Sequence, residues 1–158
     1  MNLKFAIGFD IHKLVSGRKL KLCGVEIPFE KGLLGHSDGD VGLHALIDAI
    51  LSASGLPDIG TLFPDTDSKY KDIESSELLK ETLKLINKKN FKVVQVDITI
   101  VCDHPKIFPY YAKMKNFLAN FLEIDSTNIG IKARTTEGLI NKQAIACFCL
   151  VVLQKLVF

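Results

Sequence analysis

Alternating apolar and polar side chains predict several β-strands along the chain. Residues 93–102 show the period of two that places successive side chains on opposite faces of a strand. One face of this strand would carry Val94, Val96, Ile98 and Ile100, and the other Gln95, Asp97 and Thr99. Further strands are predicted over residues 4–11, 129–134 and 144–157, and a bent strand or tight hairpin over residues 19–27 around Gly24. The first strand would lead into a polar turn at Asp10 and His12.

Apolar positions spaced three and four residues apart predict three amphipathic helices. The first follows a glycine-rich loop at residues 30–40, in which Asp38 or Asp40 can cap its start. In chain order, the helices would run to about Ser54, over residues 74–89 and over residues 110–122. An irregular, aspartate-rich segment occupies residues 58–71. Long strands packed against three helices predict an α+β sandwich.

Composition narrows the classes of function. The 158 residues, 47% apolar and 24% charged, fit a single domain covering residues 1–158. A net charge of +2 and scattered lysines do not form the basic stripe typical of nucleic-acid-binding proteins. The longest apolar run, residues 144–153, has roughly half the length that a membrane-spanning helix needs. The four cysteines form no Cys-x-x-Cys pair, which favours reduced thiols in a cytoplasmic protein.

Asp10 and His12 are the first candidates for metal ligands. Because they are two residues apart on a strand, their side chains would point to the same face. A catalytic zinc ion takes three protein ligands and keeps an open fourth position, and His44, early in the first helix, can supply the third. Asp40 and Asp48 lie four residues to either side of His44, and either could hold its other ring nitrogen. From spacing alone, the same residues are equally consistent with a structural role.

Three further groups of polar residues could recognise phosphates or hydroxyl groups. Residues 35–40 combine glycines with His36 and Ser37, so donors could approach an anion closely, although the same loop could simply cap a helix. Carboxylates within residues 58–67 could accept hydrogen bonds from sugar-like hydroxyls or bind Mg²⁺, or could form a solvated turn. Lys106 and residues 134–137 each follow a strand, and could meet around a phosphate or be two surface turns.

Taken together, these groups resemble the 2-C-methyl-D-erythritol 2,4-cyclodiphosphate synthase family of the non-mevalonate isoprenoid pathway. The matching stretches follow the family's order and spacing from the N-terminus through Glu137. They are GFDIH at residues 8–12, GLLGHSDGDVGLH at 32–44, DIG at 58–60, FPDTD at 63–67, PK at 105–106 and TTE at 135–137. The stretch at residues 32–44 is highly specific and favours each functional interpretation over its alternative.

The resemblance implies roles for particular residues. Asp10, His12 and His44 would bind Zn²⁺ or another divalent transition metal, and His36 and Thr135 would be the catalytic residues. Substrate-binding residues would be Ser37, Asp58, Ile59, Gly60, Phe63, Pro64, Asp65, Thr66 and Asp67. Nucleotide-binding residues would be Cys102, Asp103, His104, Pro105, Lys106, Ile107, Phe108, Arg134, Thr136 and Glu137. The implied fold is a four-stranded mixed sheet with helices packed on one face, assembled as a homotrimer with active sites between subunits.

The implied reaction is an intramolecular phosphoryl transfer. The 2-phosphate of 4-diphosphocytidyl-2-C-methyl-D-erythritol 2-phosphate would attack the β-phosphorus, so that a cyclic diphosphate forms and CMP leaves. Cations must bring the two anions together, namely the zinc ion, a Mg²⁺ or Mn²⁺ bridging the diphosphate, and Lys106. The competing hypotheses are a zinc-dependent phosphoester hydrolase and a non-catalytic trimer that binds metal and nucleotide. A bacterial cytoplasmic location is expected, since no transit peptide is recognisable.

The chain departs from the family pattern at two places. Arg134 stands where a threonine is usual, which predicts an ionic contact to the diphosphate in place of a hydroxyl bond. Residues 138–143 form a short segment before the last strand, where family members often carry a glycine-rich stretch with an arginine and a glutamate. In the family, that stretch lines the central cavity of the trimer and adds one nucleotide contact.

Overall fold

The structure is a computed structural model that describes residues 2–139 and 143–157 of the chain. The strands are β1 (Leu3–Ser16), β2 (Leu20–Leu22), β3 (Val25–Ile27), β4 (Lys31–Leu33), β5 (Phe91–Val101), β6 (Ile129–Arg134) and β7 (Ala144–Lys155). The helices are α1 (Val41–Ala53), α2 (Ile59–Leu62), α3 (Ser75–Lys88) and α4 (Tyr111–Leu122). Of the short segment that departs from the family pattern, residues 140–142 lie outside the described residues.

The central sheet has five strands in the order β4-β1-β7-β5-β6. β7 pairs antiparallel with both β1 and β5, β4 pairs antiparallel with β1, and β5 runs parallel to β6. The predicted mixed α+β architecture is therefore confirmed, but the prediction of four strands is wrong. The fifth strand, β4, lies in the predicted glycine-rich loop. It forms because β1 continues to Ser16, and the backbone groups at the end of β1 find partners in Lys31–Leu33.

The first strand differs from its prediction in a way that matters for chemistry. β1 extends well past residue 11, so Asp10 and His12 lie inside a paired strand and not in a polar turn. Of the bent strand and the tight hairpin that residues 19–27 could form, the structure shows the hairpin, made of β2 and β3 with Cys23 and Gly24 at φ 50° and 80° in its turn. Two-residue hairpin loops use this left-handed conformation because it matches the twist of the flanking strands.

The buried face of β5 also differs from the predicted alternation. A β-bulge shifts the pairing with β7 between Val93 and Gln95. The extra residue changes the phase of the strand, so Val93 and Val96 are both buried while Val94 is half-buried. The prediction that Val94 shares a face with Val96 is therefore wrong. A bulge depends on the partner strand, and the period of two within β5 does not reveal it.

The helices cover one face of the central sheet and form the core with it. α1 packs against β1 and β7, α3 against α1 and β5, and α4 against β6. α1 is close to β1 at Gly8, where a Cβ atom would lie 1.9 Å from the carbonyl oxygen of Ala45. Buried side chains at the centre of this layer include Leu43, Leu46, Ile47, Ile50, Leu79, Ile98 and Ile100. No helix within the described ranges is long and apolar enough to cross a membrane.

The opposite face of the sheet is apolar and open to solvent in the single chain. We call it the open sheet face, and it consists of Phe5, Ile7, Phe9, Ile11, Phe148 and Leu150. Phe5 and Ile7 are 63% and 68% exposed, and the rings of Phe9 and Phe148 lie side by side with centroids 4.7 Å apart. A group of exposed apolar side chains of this kind usually marks an interaction surface.

Candidate active site

Asp10, His12 and His44 meet on the helix-covered side of β1, and we call them the ligand cluster. Asp10 and His12 share the face of β1 that includes Gly8, where α1 approaches most closely. His44 stands in the first turn of α1 and reaches the same point from the other side. One carboxylate oxygen, Asp10 Oδ2, lies 2.8 Å from His12 Nε2 and 3.0 Å from His44 Nδ1.

The ligand cluster has the composition of a metal site. One ligand atom from each of its three residues lies within 4.8 Å of the others, and the two imidazole centroids are 5.2 Å apart. A carboxylate and two imidazoles are the kinds of ligand that zinc and neighbouring divalent transition metals accept. Three protein ligands also leave a coordination position for a substrate oxygen. The cluster could therefore hold a catalytic divalent ion.

In each imidazole, the ring nitrogen that faces away from Asp10, here called the far nitrogen, also has a hydrogen-bonding partner. His12 Nδ1 lies 2.5 Å from the carbonyl oxygen of Leu34, which can only accept, so this nitrogen is the donor. His44 Nε2 lies 3.0 Å from Ser37 Oγ and 2.9 Å from Ser75 Oγ. Such contacts orient the ring and leave the nearer nitrogen available to a metal.

The partners expected for His44 from helical spacing are wrong. Asp40 accepts instead from the backbone N–H groups of Cys23, Gly24 and Leu43 at 2.8, 2.7 and 3.0 Å. Asp48 accepts from the backbone N–H of Ile59 at 2.8 Å. Both carboxylates are occupied by backbone donors at helix starts and turns, where unpaired N–H groups are available. Ser75 holds His44 from α3, a position that spacing along α1 cannot reveal.

Charge within the ligand cluster favours an ionised carboxylate. Burial alone would raise the pKa of Asp10, but its hydrogen-bonding and electrostatic contacts with His12 and His44 outweigh burial and hold that pKa well below its usual range. Burial would likewise lower the pKa of His12, yet the hydrogen bond and charge of Asp10 raise it overall. Asp10 therefore provides a negative charge between two imidazoles, as a cation site requires.

A cavity of about 410 Å³ opens beside the ligand cluster. It is lined by the cluster itself and by His36, Ser37, Ile59, Gly60, Phe63 and Asp65, all singled out from the sequence. Tyr70, Ile73 and Leu78 also line it, and sequence reasoning missed them because they look like ordinary apolar residues. Asp58 and Asp67 instead cap short helical turns, accepting from Thr61 N and Lys69 N.

The loop that carries His36 and Ser37 is held from both sides. Arg18 donates to the carbonyl oxygens of Gly35 and Ser37 at 3.2 and 2.6 Å. On the other side, the carbonyl of His36 accepts from Asp72 N at 2.9 Å, and Asp38 N donates to Ile73 O at 3.1 Å. These contacts place the loop at the cavity mouth without using the side chains of His36 or Ser37.

A second polar group forms where β5 and β6 end, and we call it the β5–β6 edge. It comprises residues 102–108 and 134–137, which the parallel pairing of the two strands brings together as predicted. Asp103 accepts from Thr136 N at 2.9 Å and from Thr136 Oγ1 at 2.6 Å, and Cys102 N donates to Arg134 O at 2.8 Å. Among the described residues, none from this edge lines the 410 Å³ cavity.

The outward side chains of the β5–β6 edge are exposed. Lys106, Arg134, Thr135 and Glu137 face solvent, and Phe108 is 78% exposed. Thr135 Oγ1 donates to Glu137 at 2.7 Å, and the guanidinium group of Arg134 donates to the carbonyl oxygen of its neighbour Ala133 at 2.9 Å. The edge thus presents two cations and the hydroxyl of Thr135 beside an aromatic ring, which suits a phosphate-bearing ligand.

Comparison with known proteins identifies relatives along nearly the whole chain. The sequence model of the YgbB family matches residues 3–154. A 2-C-methyl-D-erythritol 2,4-cyclodiphosphate synthase of Caldicellulosiruptor bescii is 60% identical over 136 residues, covering 86% of this chain and 87% of the relative. The synthase of Fusobacterium nucleatum is 48% identical over 156 residues, covering 97% and 98%. A solved structure of such a synthase in its CDP-bound form superposes with a TM-score of 0.90 at 38% identity, covering 96% of this chain and 100% of that one.

Proposed function

The chain belongs to the YgbB family, and from this premise we propose that it forms 2-C-methyl-D-erythritol 2,4-cyclodiphosphate in the non-mevalonate isoprenoid pathway. The proposed substrate is 4-diphosphocytidyl-2-C-methyl-D-erythritol 2-phosphate, and the second product is CMP. The observation that carries the proposal is the convergence of the ligand cluster with His36 and Ser37 at one cavity. Curated relatives at 60% and 48% identity carry the name of this synthase, which supports the same conclusion.

The ligand cluster is proposed to hold Zn²⁺ or another divalent transition metal. Its donors fit such an ion, because each imidazole is held at its far nitrogen and Asp10 carries the negative charge. When bound, the ion would act as a Lewis acid on a phosphate oxygen, while a Mg²⁺ or Mn²⁺ arrives with the substrate diphosphate. The three side chains therefore have the task of presenting three lone pairs in a fixed arrangement.

The chain's other residues have the task of holding two phosphates in line. An oxygen of the 2-phosphate forms a bond to the β-phosphorus, and the bond from that phosphorus to the oxygen shared with CMP breaks. The attacking oxygen is already anionic, so no side chain needs to remove a proton. His36 and Ser37, on their clamped loop, are proposed to donate to phosphate oxygens, and Thr135 to stabilise the transition state with its hydroxyl. Positioning of this kind supplies much of the rate enhancement in phosphoryl transfer.

The methylerythritol part of the substrate is proposed to occupy the cavity. Ile59, Gly60, Phe63 and Asp65 line it, and Ile73 adds an apolar wall suited to a carbon chain with a methyl branch. Asp65 offers a carboxylate that can accept hydrogen bonds from hydroxyl groups. Asp58, Pro64, Thr66 and Asp67 are proposed to complete this part of the site from the neighbouring turns.

The cytidine diphosphate part is proposed to bind the β5–β6 edge of a neighbouring subunit in a homotrimer. Two observations support this arrangement: the edge does not line the cavity in the described chain, and the open sheet face leaves a row of apolar side chains in water. Packing three open sheet faces around a threefold axis would bury those side chains. Lys106 and Arg134 would then reach the diphosphate across the subunit boundary.

A cytoplasmic location is proposed as well. Cys23, Cys102, Cys147 and Cys149 are all buried free thiols. Unpaired cysteines are typical of a reducing compartment.

Product analysis tests the proposed reaction against its alternatives. The purified protein is incubated with the substrate, Zn²⁺ and Mg²⁺ in water enriched in ¹⁸O, and the products are identified by mass. We expect cyclic diphosphate and CMP without incorporated ¹⁸O, because the nucleophile is a phosphate of the substrate. Linear products carrying ¹⁸O would instead identify a hydrolase, and binding without turnover would identify a non-catalytic trimer.

A further inference from the structure

Ser75 is a buried polar residue next to the ligand cluster that the proposed chemistry does not use. It is the first residue of α3 and is fully buried. Its Oγ lies 2.9 Å from His44 Nε2 and also contacts the carboxylate of Asp38. Ser37 Oγ lies 3.4 Å from Ser75 Oγ and 3.0 Å from the same imidazole nitrogen. A serine in this position touches a candidate metal ligand without facing the cavity.

Asp38 is arranged as the acceptor of the Ser75 hydroxyl proton. Its two oxygens also accept from the backbone N–H groups of Asp40 and Ser75, both at 3.1 Å. Lys21 Nζ lies 4.0 Å from one of those oxygens. A carboxylate surrounded by donors can only accept, so the single hydroxyl proton of Ser75 points toward Asp38.

The direction of that proton decides the tautomer of His44. Once the hydroxyl proton is directed to Asp38, Ser75 Oγ has only lone pairs to offer to the imidazole. For the 2.9 Å contact with Ser75 to be a hydrogen bond, His44 Nε2 is then the donor. The opposite nitrogen, Nδ1, lies 3.0 Å from Asp10 Oδ2, so it is the nitrogen whose lone pair an ion bound in the ligand cluster would take.

We propose that Ser75, oriented by Asp38, is a positioning residue that holds His44 in the tautomer and ring orientation required for metal binding. The inference rests on the proposed function of the ligand cluster, and it adds two residues from outside the cavity. The contact also joins the start of α3 to α1, since Ser75 and His44 are 31 residues apart in sequence. Removing a hydrogen-bond partner of a metal-bound histidine typically weakens metal binding about 10–100-fold.

The test compares the affinity for Zn²⁺ of metal-depleted wild type, Ser75→Ala and a matched control, Ser54→Ala. Ser54 is also a buried serine, but its hydroxyl donates to the carbonyl of Leu51 at the end of α1, away from His44. Binding is measured by competition with a chromophoric chelator. We expect Ser75→Ala to bind Zn²⁺ about 10–100-fold more weakly and Ser54→Ala to match the wild type. Turnover of Ser75→Ala should recover at saturating Zn²⁺, which a general structural defect would not allow.

A second variant keeps the test decisive if Ser75→Ala does not fold. Asp38→Asn preserves the shape of the side chain, but its amide can donate as well as accept, so the hydroxyl proton of Ser75 is no longer directed toward residue 38 alone. We therefore expect Asp38→Asn to weaken Zn²⁺ binding too, but less than Ser75→Ala does. Wild-type affinity in both variants would overturn the proposal, and so would an equal loss in Ser54→Ala. If wild type binds Zn²⁺ and shows the expected difference from Ser75→Ala but forms no cyclic diphosphate, the proposed reaction is wrong and the positioning role stands.

Discussion

The ligand cluster and the β5–β6 edge are built in opposite ways. In the cluster, the side chains of His12 and His44 are only 16% and 12% exposed, and each ring is held at both nitrogens. At the edge, the half-buried Asp103 and the buried Thr136 are hydrogen-bonded to each other, but the side chains that could touch a ligand point into solvent.

The difference indicates how far a single chain completes its active site. A metal ion needs ligands that are ordered before it binds, and β1 and α1 of one chain provide them. Exposed lysine and arginine side chains become selective only when another surface limits their conformations and excludes water. The cluster is therefore complete within the chain, whereas in the proposed homotrimer a neighbouring subunit would complete the edge.

The largest expected effect comes from His44→Ala, which breaks the ligand cluster. Removing one of three ligands should abolish tight Zn²⁺ binding and lower turnover by roughly 10²–10³-fold, the usual loss when a preorganised electrostatic contact is deleted. Turnover and the zinc content of the purified variant are measured together. A variant with wild-type zinc content and turnover would show that the cluster has a structural role only.

The next effect comes from Phe9→Glu, which places a charge on the open sheet face. Phe9 is 47% exposed in the single chain, so the change should leave the subunit folded but separate the subunits. We expect light scattering to report a monomer with normal Zn²⁺ affinity, and turnover to fall on the order of 10²-fold because the two halves of the site are no longer positioned together.

Lys4→Glu is the control for that experiment. Lys4 is an exposed residue of β1 whose side chain lies on the opposite face of the strand from that of Phe9. Its substitution should leave both assembly and turnover unchanged. A stable trimer in the Phe9 variant would show that another surface mediates assembly.

A smaller effect is expected from Lys106→Ala, which weakens the β5–β6 edge alone. Loss of one charge-assisted contact should raise KM roughly 10–100-fold while Zn²⁺ binding stays normal. Steady-state kinetics and zinc content distinguish this result from that of the cluster variant.

Mixed trimers sharpen the same comparison. His44→Ala and Lys106→Ala subunits are mixed in equal amounts, denatured together and reassembled. If each active site is shared between two neighbouring subunits, about a quarter of the sites would combine an intact ligand cluster with an intact β5–β6 edge. Activity should rise toward that fraction of the wild-type value. No recovery would mean that both parts of each site come from one chain.

The smallest expected effect concerns the thiol at the base of the edge. Burial, together with the neighbouring charge of Asp103, raises the pKa of Cys102 to about 12. At pH 8 only about one thiol in ten thousand would then be ionised. Iodoacetamide should leave the folded protein unmodified and fully active, whereas rapid alkylation of Cys102 would show that the base of the edge opens to solvent.

Local patterns predicted those parts of the molecule that depend on neighbours in sequence. The period of two placed Asp10 and His12 on one face, and the structure brings them together with His44. The 3.6-residue period located α1, α3 and α4, and strand ends located the β5–β6 edge. The roles of the individual site residues remain predictions until the variants are measured.

Features that depend on contacts between distant segments were predicted wrongly or missed. β4 exists because the end of β1 offers unpaired backbone groups, and the bulge at Val94 depends on β7. Ser75 and Ile73 reach the active site only because α3 packs against α1. Nothing in the spacing around either residue distinguishes it from an ordinary helix start.

By itself, the sequence determined the chemical character of this protein. It shows Asp10 and His12 two residues apart on a strand, His44 early in a helix, a glycine-rich loop, and a family resemblance that covers most of the chain. The tertiary structure decided which partners those side chains have. Periodicity fixes the direction in which a side chain points from its own element, but the hydrogen bond that selects the tautomer of His44 crosses between two helices. Only packing, through the close approach of α1 to Gly8 and of α3 to α1, brings those groups within bonding distance.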